Sequence, residues 1–213
     1  MPLLPDVYQE TKRIARGAAQ KSPLLAEFSA WCQETYGIDV LNFEFDERNQ
    51  FYQLVVIVKN EHDYGKMADR SVRDIYRPQI AQTFLRLAAK HNFEPASRRE
   101  AVGVTFSDFS EDAKRETFQN ATDAIKKLVA KRYPMVWHVE VQFHPVTVFY
   151  LTDADIATYE GDGTTQRLRA AIYDIVKKHD ELDYFTIDSL PLHINSKEYV
   201  DTHCEGSLFY YFK

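Results

Sequence analysis

A chain of 213 residues, 45% hydrophobic and 27% charged with a mean hydropathy of -0.43, has the balance of a soluble globular protein long enough to bury a core without disulfide or metal staples. Its net charge of -6 and pI near 5.7 oppose a phosphate-binding surface, so nucleic acid is not an expected partner. No stretch approaches the roughly 18 apolar residues of a membrane span and MPLLPDVYQETKR lacks an export signal, so a cytoplasmic protein with no membrane partner is expected.

Residues 1–37 read as an N-terminal helical segment. Ser22 caps a helix that opens on Pro23, Leu24, Leu25, Phe28, Trp31 and Cys32 share one face, and Gly37 closes it. The preceding stretch, 5–21, carries a thinner stripe of Val7, Ile14 and Ala18. From Val40 the period changes to two: Leu41, Phe43 and Phe45 alternate with Asn42, Glu44 and Asp46, and the run FYQLVVIV at 51–58 has the pattern of a central strand, so the two predict a hairpin. A polar loop then leads to a helix over 78–91, with Ile80, Phe84, Leu87 and Ala88 inward, and a strand over 101–106. Ser110 opens a long helix with Phe118, Ala121, Ile125, Leu128 and Val129 on its inner face, which Pro134 stops.

The order then begins again. WHVEVQF predicts a half-buried strand, VTVFYL a central one, 168–179 an amphipathic helix and YFTIDSL a strand, while the tail segments EYVDTH and LFYYFK add two short strands. Glu44 aligns with Glu140 and His91 with His179. The expected architecture is α+β: a mostly antiparallel sheet built from two similar ββαβ units, residues 38–109 and 135–213, the second including the C-terminal strands, joined by a connecting helix over 110–134 within one compact domain.

No segment carries a signature that names a reaction or a cofactor, and with 7 Gly there is little material for glycine-rich phosphate loops. Cys32 and Cys204 are too few and too far apart for a disulfide framework or a thiolate zinc site, so both are expected as free thiols. The best candidate site lies on the strand 137–144, where alternation puts His138, Glu140, Gln142 and His144 on one face and Trp137, Val139, Val141 and Phe143 on the other. A three-residue turn at 144–146 sets Glu140 opposite Tyr150 and His138 opposite Thr152, a polar quartet whose catalytic candidates are His138, Glu140 and Tyr150. His138 and His144 stand about 20 Å apart on a strand, so no metal-ligand set is assigned, and recruitment of Asp153, Asp155 or a C-terminal histidine would be needed to make one. The ordinary role of such a face is that of a solvated sheet surface.

Other features have plainer uses. GDGTTQ at 161–166 resembles in its first five letters the nucleotide loop of the chaperonins, while the rest of the chain does not follow that family, and a turn plus helix cap accounts for it. His193, His203, Cys204 and Glu205 lack zinc-motif spacing. Arg70, Arg73 and Arg77 alternate with Asp69 and Asp74, as local ion pairs do, and Lys126, Lys127, Lys131 and Arg132 sit where cations suit a helix C-terminus. Two function classes follow. One is a non-catalytic module that engages a protein partner through a sheet face or edge; the other is a small hydrolase or transferase, metal-dependent or not, built on His138 and Glu140. A pocket at Glu140 favours the second, an exposed polar or aromatic patch the first.

Overall fold

The computed structural model describes residues 3–48, 51–97, 101–141 and 146–213. It is α+β and divides into two compact units, Met1–Ala113 and Lys114–Lys213, each holding one three-stranded sheet.

The first unit runs α1 (Pro5–Ala15), α2 (Pro23–Tyr36), β1 (Val40–Arg48), β2 (Phe51–Val58), α3 (Glu61–Ala68), α4 (Arg70–Lys90), α5 (Glu94–Ser97) and β3 (Gly103–Asp108), and ends within α6 (Phe109–Arg132). The capping expected for α2 is present: Ser22 Oγ accepts the Leu25 N–H at 3.2 Å, and Gly37 ends the helix at φ 65°, a conformation cheap only for glycine. One sheet face receives Leu25, Phe28 and Cys32 from α2 and Ile80, Phe84 and Leu87 from α4, which pack on Leu54, Val56 and Val58 of β2 and on Val104 of β3. On the opposite face α1 lies along β1, where the Asn42 amide donates to the buried Thr11 hydroxyl at 3.0 Å. Glu44, expected on a solvated face, is therefore 7% exposed and stands opposite Val55.

Burial also decides the chemistry of Cys32. Its side chain is inaccessible and its thiol is pushed up to about 12 by desolvation, so at pH 8 only about one thiol in ten thousand is ionised. Cys204 is half-buried, and both cysteines are free. Ellman's reagent is expected to modify one thiol per native chain, lost in Cys204→Ser, and the second only on unfolding. Equal rates for both thiols in the native protein would contradict this.

The second unit comprises most of α6, then β4 (His138–Val141), β5 (Val146–Tyr150), α7 (Asp153–Gly161), α8 (Thr164–Lys177), β6 (Leu192–Ser196), α9 (Lys197–His203) and α10 (Leu208–Tyr211). Its core joins Ala121, Ile125 and Val129 of α6 to Leu168, Ile172 and Val176 of α8 over Val139, Val146 and Val148.

Both sheets share one topology. A hairpin pairs the first two strands antiparallel, and the third strand returns parallel to the second, which occupies the middle. A parallel partner requires a crossover, which α3 to α5 supply in the first unit and α7 with α8 in the second. The sheets are accordingly mixed, where the sequence predicts mostly antiparallel pairing. No helix among the described residues is long and apolar enough to cross a membrane.

Several elements differ from expectation, each for a local reason. The polar loop after β2 contains α3, capped by Asn60 Oδ1 on the Asp63 N–H at 3.0 Å. The helix expected from residue 78 begins at Arg70 and carries Pro78 inside it. The segment 184–190 is not a strand: Asp180 accepts the Tyr184 and Phe185 N–H groups at 2.9 Å each, and Ser189 Oγ accepts the Thr186 N–H, so these donors are already satisfied without a ladder. The third strand falls at 192–196 instead. Neither tail segment is a strand; Ser196 caps α9 through the Tyr199 N–H at 2.9 Å, and α10 follows the turn at Gly206.

Candidate functional site

The face of the second sheet turned away from α6 and α8 carries His138 and Glu140 from β4, Thr147 and Phe149 from β5, and His193 and Asn195 from β6. Cross-strand pairs fix this arrangement: His138 opposes Phe149 and Glu140 opposes Thr147, while Phe149 neighbours Asn195 and Thr147 neighbours His193. The register differs from the expected one because Val139 pairs with Val148 and Val141 with Val146, which collects all four valines on the core side. Gln142, Phe143 and His144, with the expected turn, lie outside the described residues.

His138 and Glu140 are brought together. Glu140 Oε2 lies 3.2 Å from His138 Nε2, its Oε1 lies 3.7 Å from Lys126 Nζ on α6 and accepts the Val141 N–H at 3.2 Å. Tyr150 does not join them. It projects from the opposite side of β5, is fully buried, and its hydroxyl lies 3.1 Å from Thr165 Oγ1 of α8, with the Tyr159 ring at 4.9 Å. Burial raises its pKa, an effect the Thr165 hydrogen bond opposes. Thr152 leaves the sheet to cap α7, its hydroxyl accepting the Asp155 N–H at 3.1 Å while Asp155 accepts the Thr152 N–H at 3.0 Å. The expected quartet is thus a His–Glu–Lys group on one side of the sheet and a buried tyrosine on the other.

Aromatic side chains adjoin the polar group. Phe149, fully buried, is enclosed by Trp137 at 6.1 Å, Tyr211 at 5.0 Å and Phe212 at 6.2 Å between ring centroids, and the Asn195 amide donates to the Tyr211 hydroxyl at 3.1 Å. The C-terminal segment therefore covers part of a face expected to meet water. Trp137, assigned to the core by alternation, is instead 37% exposed, with the Lys197 ammonium 5.5 Å from its ring centre. Tyr199, Tyr210 and Phe212 are also exposed, and Phe209 is exposed at 71%. The signal for these residues is the string LFYYF, an unbroken apolar run that suggests a short strand; its place after the Gly206 turn makes it a four-residue helix instead, too small to bury all four rings.

The remaining candidates are dispersed. His193 is exposed on β6, His203 stacks on Tyr199 with ring centroids 4.5 Å apart, Cys204 follows at the end of α9, and Glu205 adopts φ 52° in the turn beyond it. Among the described residues no three His, Cys, Asp or Glu side chains are grouped as a metal site would need. At 161–166 the expected turn is present but a threonine cap is not: Gly163 holds the N-cap position at φ 79°, Thr164 and Thr165 lie inside α8, and Asp162 Oδ1 accepts the Thr164 N–H at 2.8 Å. Arg167 reaches back to the Thr164 hydroxyl at 2.7 Å. No known protein family, no curated protein and no solved structure matches this chain.

Proposed function

We propose that this protein is a non-catalytic binding module whose second unit engages a protein partner through the aromatic patch formed by Trp137 and the C-terminal helices. The exposure of Trp137, Tyr199, Phe209, Tyr210 and Phe212 within one unit carries the proposal, since aromatic side chains supply much interface area at low entropic cost and concentrate binding energy. A protein suits this surface better than a polyanion because its charges are mixed: Lys197 pairs with Asp201, and Glu198 accepts the Asp153 N–H. The free thiols Cys32 and Cys204 support a reducing, cytoplasmic setting. In the alternative, a hydrolase or transferase uses His138 and Glu140; the 3.2 Å contact between them favours it, and the position of Tyr150 on the other side of the sheet weighs against it.

In this proposal the segments 38–109 and 135–213 are two copies of one ancestral unit. Its support is positional. Glu44 and Glu140 both precede a core-facing residue on the first strand of a sheet and stand opposite Val55 and Thr147 of the central strands. Each central strand is followed at the same interval by a cap, Asn60 or Thr152, that accepts the N–H three residues on.

The test is to identify the species retained by the immobilised chain and to titrate it against variants. Trp137→Ala combined with Phe209→Ser should weaken binding at least tenfold with an unchanged far-UV spectrum. Glu140→Gln should leave affinity within threefold and stability within about 0.5 kcal/mol. A tenfold loss of binding or turnover from Glu140→Gln alone, with the fold intact, would transfer the function to the His138–Glu140 pair.

A further inference from the structure

A second surface of the Lys114–Lys213 unit stands apart from the aromatic patch. Helices α6 and α8 pack side by side, and beyond the residues they turn toward the sheet, Ala124 and Leu128 of α6 and Ala171 and Ile175 of α8 form the floor of a groove of about 420 Å³. Lys127, Lys131 and Arg132 line it from α6, and Lys178 with Asp174 from α8. All four cations are exposed, and among the described residues none has an ion-pair partner. On a chain whose net charge is -6, a rim of four cations to one carboxylate is a local reversal of sign.

The corresponding place on the first sheet is built differently. Between α2 and α4, Trp31, Tyr36 and Tyr76 follow one another with ring centroids 5.3 and 4.7 Å apart, the first pair edge to face, and the Tyr36 hydroxyl donates to Gln79 at 2.9 Å. Aromatic rings occupy that space, whereas alanines at 124 and 171 leave it open. Lys131, Arg132 and Lys178 also offset the partial negative charge of two helix C-termini, but that role accounts neither for Lys127 nor for the aliphatic floor.

We infer that the α6–α8 groove binds an acidic amphipathic helix of a protein partner, with apolar side chains spaced i, i+4 on the floor and flanking carboxylates against Lys127, Lys131, Arg132 and Lys178. From Ala124 to Arg132 the groove extends about 12 Å, roughly two helical turns, which sets the size of the anchor. A helix laid in a groove is an established mode of recognition that uses this division between apolar anchors and charged flanks. The floor holds no aromatic side chain on which a base would stack, so the groove favours a peptide over single-stranded nucleic acid.

The probe is a fluorescein-labelled synthetic helix of about 15 residues, with leucines at i and i+4 flanked by glutamates, measured by anisotropy against the full chain at about 0.15 M salt. Saturable binding is expected, at least tenfold weaker for Lys127→Glu/Lys131→Glu and for Ala124→Trp, which fills the groove from an exposed position. The same helix with lysines for glutamates, and an oligothymidine of equal charge, should bind at least tenfold more weakly than the acidic helix. Absence of binding, equal affinity for either protein variant with its far-UV spectrum unchanged, or an oligothymidine or lysine helix that binds as tightly as the acidic one would overturn the inference. Because neither variant touches Trp137 or Phe209, failure here leaves the aromatic patch to be judged by its own variants.

Discussion

Phe84→Ala is expected to destabilise the first unit by about 4 kcal/mol. The Phe84 ring is inaccessible to solvent and stands among four others, Phe28 at 5.3 Å, Phe43 at 4.9 Å, Phe45 at 5.8 Å and Phe93 at 6.4 Å between centroids. Truncation removes the transfer free energy of the ring and leaves a cavity that rings drawn from α2, β1 and the segment after α4 cannot jointly close. Since a domain is stable by only about 5–15 kcal/mol, the variant should sit near its unfolding threshold at 37 °C. Urea titration followed by Trp31, which stacks on Phe28 at 6.3 Å, in a Trp137→Phe background, reads this unit directly. Phe84→Leu, which keeps most of the volume, should lose less than half as much; a loss below about 2 kcal/mol for alanine would mean that the cluster relaxes freely.

The second large effect is electrostatic. Asp180→Ala is expected to cost about 2–4 kcal/mol, because its fully buried carboxylate accepts the N–H groups of Tyr184 and Phe185 and lies 3.4 Å from Lys177 Nζ, and its removal leaves two backbone donors to pay for their own desolvation. Asparagine is a poor rescue: its single carbonyl oxygen serves one donor and its amide confronts the other. Asp183, the other partner of Lys177, is 85% exposed, so Asp183→Ala should change stability by less than about 0.5 kcal/mol. The Lys177 ammonium is held above the ordinary lysine value of 10.5, by Asp183 first and Asp180 after burial is counted. What it contributes is thus fully present below pH 10.5 and lost only as pH rises through the higher folded-state value, so the Asp180→Ala effect should be flat with respect to Lys177 between roughly pH 6 and 9. Chemical denaturation of the three variants across that window is the measurement; a cost for Asp183→Ala equal to that for Asp180→Ala would assign the stabilisation to the surface pair.

The elements legible in the sequence are those whose own residues decide them. Ser22, Pro23 and Gly37 delimit α2, and the uninterrupted apolar run at 51–58 identifies a central strand, because a strand covered on both sides has no polar period. The crossover was written in capping chemistry: Thr152 and Asp155 form a capping box and Asn60 caps Asp63, signals weaker to the eye than hydrophobic period but equally local. Register and the tail are different in kind. Whether Glu140 faces Tyr150 or Thr147 depends on how four valines share a core with α6 and α8, and whether LFYYF is strand or helix depends on what lies across from it. His138 and Glu140 are legible as neighbours because residues two apart on one strand share a side whatever that strand pairs with; the partner of Glu140 across the hairpin is not, because it is fixed by register.

The parallel third strand has a kinetic consequence. In each unit the hairpin closes from residues adjacent in the chain, whereas Gly103–Asp108 must find β2 across residues 59–102, and Leu192–Ser196 must find β5 across residues 151–191. Loop closure over such separations costs entropy before the new pairs return any enthalpy, and non-local pairing is the slow step in small domains. A species with hairpin and crossover helices formed and the far edge of β2 or β5 still open is the intermediate this connectivity favours. Substitutions that weaken only β3 or β6 should therefore lengthen the slowest refolding phase, and the exposed flank of the central strand in that species is where two chains refolding at high concentration would pair with each other.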